Sequence, residues 1–94
     1  MKLLGRNRLQ ALYGRNHPTD TWIRNWICEL SRADWMHAKD VLRQFPKARN
    51  VADDIFLFPV EQQAQCIEVT MVFTQAVALI VDLKNVQPDG GNGS

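Results

Sequence analysis

Cysteine is scarce in this chain of 94 residues: Cys28 and Cys66 are the only two, and neither has a second cysteine at CxxC spacing. That argues against a disulfide framework or a zinc knuckle. Buried free thiols are the expectation for both, because an unpaired cysteine behaves as a small hydrophobe. Histidine is equally scarce. His17 and His37, taken with the cysteines, show no recognisable ligand spacing, so no metal and no cofactor is expected. Long apolar runs are absent too, and none approaches the roughly 20 residues that cross a bilayer. The opening MKLLGRNRLQAL starts like a signal peptide, but Arg6 and Arg8 interrupt it before an apolar region forms. The expected location is therefore cytoplasmic.

Positive charge is almost missing from one half. Residues 1–49 carry ten Lys/Arg against four Asp/Glu, a net +6, whereas residues 50–94 carry Lys84 alone against six acids, a net −5. A nucleic-acid reader concentrates cations on one surface, which the first half can supply and the second cannot. With 46% hydrophobic and 22% charged residues, the composition is that of a globular chain able to bury one modest core.

What is present divides into a helical half and a strand half. Leu9, Leu12 and Tyr13 fall at i, i+3, i+4 and predict a helix over 6–15, after a short strand at Lys2–Leu4. His17-Pro18-Thr19-Asp20 interrupts it, with Thr19 or Asp20 as the N-cap of a second helix over 20–32. Trp22, Ile23, Trp26, Ile27 and Leu30 make its apolar face. Ala38, Val41, Leu42 and Phe45 predict a third helix that Pro46 stops. From Ile55 the period becomes two. Ile55–Val60, Gln65–Phe73 and Ala76–Leu83 read as an antiparallel meander, the last two joined through Thr74-Gln75. Pro59 belongs at an edge or bulge, since it cannot donate to a ladder. The predicted fold is α+β, with two to three N-terminal helices packed on a three- to four-stranded antiparallel sheet. One domain covers 1–84, and 85–94 is expected to be a flexible tail.

Several residue sets could carry chemistry. Arg6, Arg8, Arg15, Arg43, Lys47 and Arg49 are candidates for RNA phosphates or an acidic partner, weighed against a solvated helical face. His37 is the candidate acid or base, weighed against a capping role. Asp53-Asp54 reads as a turn rather than a carboxylate pair. Trp22, Trp26 and Trp35 read as core before they read as stacking platforms. The apolar IFLFPV strand makes a homodimer a natural expectation, because exposed strands and apolar patches seek partners.

The stretch ADWMHAKDVLRQFPKA, residues 33–48, resembles the helix–helix connection of the HigB toxins, a branch of the RelE/ParE superfamily, through Ala33, Trp35, Asp40, Val41, Phe45, Pro46 and Ala48. The opening LLGRNRLQAL resembles that family's first strand and helix, and Asp54 to Leu83 can be laid on its three-strand meander without a gap. The resemblance implies a small bacterial ribonuclease, often carried on mobile elements. Such a protein cuts messenger RNA on the ribosome without a metal and is neutralised by a helix-turn-helix antitoxin. It also implies where the cutting groups belong, and there this chain departs. The usual Gly-Asn hairpin tip falls on Gln62-Gln63, and the Tyr-Arg pair on Gln65 and Cys66. Two commonly basic positions fall on Thr70 and Val81, and the terminal His, Tyr and Asp near Val86, Asp89 and Gly90. Glu68, Asp82 and Asp89 add negative charge. Two unit charges 4 Å apart interact by roughly 4 kcal/mol at an effective dielectric near 20, so repulsion in place of attraction would oppose phosphate binding. The first expectation is a HigB-like protein without nuclease activity that acts by protein binding or self-association. The alternative is an active ribosome-dependent messenger-RNA endonuclease with unconventional residues, and the third an unrelated small α+β interaction module.

Overall fold

The computed structural model describes residues 1–61 and 63–85; expectations for Gln62 and for the segment 86–94 lie outside them. The longest element starts at Asn16, whose side chain accepts from the Thr19 N–H at 2.8 Å and satisfies a donor with no helical partner. Pro18 follows in the first turn, where a missing N–H does no harm. Helix α1 therefore spans His17–Arg32, and the expected caps Thr19 and Asp20 lie inside it. Thr19 is fully buried instead, its hydroxyl donating to the Glu61 carbonyl. Ile23, Trp26 and Leu30 continue the buried stripe, with Trp22 and Ile27 half-buried beside it. Cys28 falls off that stripe and is exposed, which corrects the expectation of two buried thiols.

The segment before α1 also differs. Arg6–Leu12 forms a 3-10 helix rather than a helix over 6–15. With three residues per turn, Leu9 and Leu12 align and are both buried, whereas i+4 rotates off the face. Tyr13 accordingly stays 43% exposed.

Helix α2 spans Ala38–Gln44, with His37 at its N-cap position. The Asp40 carboxylate accepts from the backbone N–H groups of Met36 and His37. Trp35 packs edge-on against Phe45 and donates its Nε1–H to Gln44, whose amide donates to Glu29 of α1. The Met36 N–H chiefly holds the Asp40 pKa below the ordinary carboxylate value; partial desolvation opposes it, and the His37 N–H and the charges of His37 and Arg43 add to the lowering. Because folding lowers this pKa, the stabilisation is complete above the unfolded carboxylate value of about 3.9 and is lost as pH falls through the lower folded value. Amide exchange at Met36 and His37, corrected for its intrinsic pH dependence, is expected to accelerate below that range. Unchanged protection there would show that the carboxylate does not hold the turn.

The remaining elements build one five-stranded mixed sheet in the order β1-β5-β4-β3-β2. The strands are β1 Lys2–Leu4, β2 Arg49–Ala52, β3 Ile55–Pro59, β4 Gln65–Val72 and β5 Val77–Asn85. The α+β class is as expected, but the sheet is wider and not wholly antiparallel. Strand β1 joins parallel to β5, and β2 adds an edge beside β3. Asn85, expected in the tail, closes β5 opposite Gln65. Pro59 lies beyond Leu57, where the pairing with β2 ends, so its missing N–H faces no neighbour. A 3-10 turn at Phe73–Gln75 and a left-handed Ala76 join β4 to β5.

Phe56, Phe58, Ile67, Val69, Met71, Ala78 and Ile80 form one sheet face and share a core with the helices. Trp26 and Phe45 both meet Phe58 edge-on, at 5.4 Å and 5.3 Å. No helix covers the other face among the described residues. None of the described helices is long and apolar enough to cross a membrane.

Candidate functional site

The uncovered face is ordered by register into rows. Leu4, Leu79, Thr70 and Ile55 lie side by side across β1, β5, β4 and β3. Val77 and Val72 form a second row next to it, which Lys2 of β1 ends with a cation. Toward the other end of the strands the chemistry changes. Asp82, Glu68, Leu57 and Arg49 make one row, and Lys84, Cys66 and Pro59 the next. Lys84 Nζ reaches Glu68 Oε1 diagonally at 3.4 Å. The Cys66 side chain is 8% exposed. Burial pushes its thiol pKa up, against the opposing charge of Arg49, so the group is a neutral thiol at pH 7 rather than a thiolate nucleophile.

The four positions matched to the degraded family site do not form one cluster. Successive strand residues face opposite ways, so Cys66 and Thr70 lie on the open face and Gln65 on the helix side. Val81 sits at the register shift between β4 and β5, where a bulge leaves it without a Cα partner.

Gln65 is nevertheless met by a cation. Arg15, from the loop before α1, donates Nη1 to Gln63 Oε1 and Gln65 Oε1, each at 2.9 Å, and Nε to the Ala11 carbonyl. Gln63 in turn donates to the Thr19 hydroxyl. No sequence pattern couples positions 50 residues apart, and only the folded chain brings this guanidinium to the hairpin.

The other basic candidates are spread over the surface. Arg6 and Arg8 are exposed on the 3-10 helix, Arg43 on the last turn of α2, and Arg49 on the edge strand. Lys47 borders a small pocket of about 250 Å³ with Trp22, Phe58 and Pro59. His37 starts α2 and His17 starts α1, so both histidines occupy helix starts rather than strands of the sheet. Among the described residues no group of three His, Cys, Asp or Glu side chains could hold a metal.

Two arginines outside that candidate set come together with Arg6. Arg24 and Arg32 line a groove with Arg6 between α1 and the 3-10 helix. The signal was available: Arg24, Ile27, Cys28, Ser31 and Arg32 fall at i, i+3, i+4, i+7 and i+8, a second stripe on α1 beside the buried one. A scan against protein-family models and a search among curated proteins each find no match for this chain.

Proposed function

We propose that the chain is a HigB-like protein of the RelE/ParE superfamily whose sheet serves binding rather than RNA cleavage. One observation carries this reading. The open face, where two of the four matched positions fall, holds a buried neutral thiol at Cys66, a Glu68–Lys84 pair and a row of Leu4, Leu79 and Ile55 interrupted only by Thr70. Metal-independent cleavage through the 2′-hydroxyl needs a group to accept its proton, cations on the phosphate and an acid for the leaving oxygen. Thr70 cannot serve as that acid–base group near pH 7, and Glu68 is already engaged by Lys84. An apolar row flanked by charges of both signs suits a protein surface, and a second copy of this chain supplies one. The same family reading gives a helix-turn-helix antitoxin as the other partner.

Inducible expression in growing bacteria, with messenger-RNA 5′ ends mapped, tests the first half of the reading. Normal growth and intact transcripts are expected while soluble protein is present; growth arrest with new in-frame cuts would sink it. Light scattering tests the second half. The mass is expected to rise with concentration, and Leu79→Glu to return it to the monomer, because Leu79 is 42% exposed on that face; circular dichroism of the variant is expected to match that of the parent chain. A concentration-independent monomer mass excludes self-association.

A second reading has its own support. Arg15 at Gln63 and Gln65 puts a guanidinium beside the position where the resemblance expects Tyr-Arg. On that reading the protein is a ribosome-dependent messenger-RNA endonuclease with a cation borrowed from another element. Arg15→Ala would then abolish any cuts the expression experiment reveals.

A further inference from the structure

The groove between α1 and the 3-10 helix gathers three arginines. It measures about 730 Å³ and is walled by Arg6 on one side and by Arg24 and Arg32 on the other. Among the described residues no carboxylate pairs with any of the three. The acids nearest them on α1 are occupied: Asp20 accepts from the Gly14 N–H, and Glu29 accepts from Gln44 of α2. Between the arginines the lining is uncharged, with Ile27, Cys28 and Ser31 on the α1 side and Asn7, Gln10 and Tyr13 facing them.

That distribution selects an occupant. At 1.5 Å per residue, Arg24 and Arg32 stand roughly 12 Å apart along α1, with apolar surface between them. A single-stranded nucleic acid is held by cations that track its backbone continuously and by stacked aromatics, whereas this groove has its α1 cations two turns apart, one aromatic in Tyr13 and a lining between them that is uncharged and more apolar than polar. An amphipathic helix with carboxylates about two turns apart and apolar side chains between them matches both features. We infer that the groove between α1 and the 3-10 helix receives an acidic amphipathic segment of a protein partner. This site lies on the helical side and is independent of the open sheet face, so it stands or falls apart from the reading above.

The groove contains its own reporter. Cys28 lines it and is exposed, whereas Cys66 is buried with its pKa raised, so a thiol reagent reads Cys28 in the folded chain. The probe is a fluorescein-labelled peptide with glutamates two helical turns apart and leucines between, titrated with the full-length chain in parallel with a labelled single-stranded RNA. The peptide is expected to bind more tightly than the RNA and to slow alkylation of Cys28 by iodoacetamide. Reversing both charges, Arg24→Glu with Arg32→Glu, is expected to weaken peptide binding by about tenfold or more, while Arg43→Glu on α2 leaves it unchanged. All three residues are exposed, so these variants keep the fold. No peptide binding, tighter RNA binding, equal weakening by Arg43→Glu, or binding without protection of Cys28 would each overturn the inference. None of these results alters the growth, transcript or mass measurements on which the sheet-face reading depends.

Discussion

Trp26→Ala is expected to lower the unfolding free energy by about 3–5 kcal/mol, a large share of the roughly 5–15 kcal/mol typical of a native domain. Trp26 is the largest fully buried side chain, at 1% exposure. It stacks on Trp22 at 6.1 Å and meets Phe58 edge-on at 5.4 Å. Phe58 also carries the edge contact to Phe45, so one indole joins α1 to the sheet at the point where the segment after α2 arrives. Removing it costs the transfer term of the ring and leaves a cavity that the rigid sheet below cannot close. Trp26→Phe separates packing from polarity. The indole Nε1 is buried without a hydrogen-bond partner among the described residues, and an unmet buried donor costs about 1–3 kcal/mol. Phenylalanine keeps the edge contact and deletes that donor, so its net loss is expected to stay below about 2 kcal/mol. Urea denaturation of the two variants checks both values. A phenylalanine variant as unstable as the alanine one would mean that the donor carries no penalty and that ring size alone governs the site.

The elements most legible in the sequence were those whose stability comes from a repeated face. The Ile23, Trp26, Leu30 stripe and the alternation in β4 could be read directly, because burying one face imposes the period. What escaped was local competition between alternatives. Asn16 outcompeted Thr19 as cap once Pro18 could occupy the first turn, and Leu9 and Leu12 fit a three-residue turn as well as a wider one. Strand β2 offered nothing to read: its four residues are all exposed, and it exists because β3 presents an edge. The candidate site was harder still. Gln65 and Cys66 are neighbours in sequence but point to opposite faces, and the cation beside Gln65 comes from Arg15, far away along the chain. Charge counted by halves also misled, since Arg49 from the basic half lies in one row with Glu68 and Asp82 from the acidic half. The residues that carry the HigB resemblance turn out to pack and cap. Ala33, Trp35, Val41 and Ala48 are buried, and Asp40 holds the start of α2. Such residues specify how α1, α2 and the sheet meet; they say little about what the surface does.

Gly5→Ala is expected to destabilise the chain by about 1–4.5 kcal/mol, and Gly14→Ala by at most about 1.5 kcal/mol. The two glycines share a backbone conformation, with φ of +84° and +83°, so each alanine meets the same left-handed penalty of roughly 1–2 kcal/mol. Each also gains the same stabilisation from a stiffer unfolded chain. What differs is the space. A Cβ on Gly14 meets nothing within 4 Å, whereas one on Gly5 would stand 2.5 Å from the Ile80 carbonyl oxygen and 3.3 Å from the Ile80 Cβ. Ile80 cannot retreat easily, because it is fully buried and paired with Val69 in the middle of the sheet. The chain at Gly5 must move instead, and it links β1 to the 3-10 helix that supplies Arg6 to one wall of the groove. Gly5→Ala should therefore shift the thermal midpoint well below that of Gly14→Ala and also weaken binding of the acidic peptide, even at temperatures where the variant remains folded. Equal midpoints for the two variants would show that β5 yields to the extra carbon. A lowered midpoint with unchanged peptide affinity would show that Gly5 supports the sheet without setting the groove.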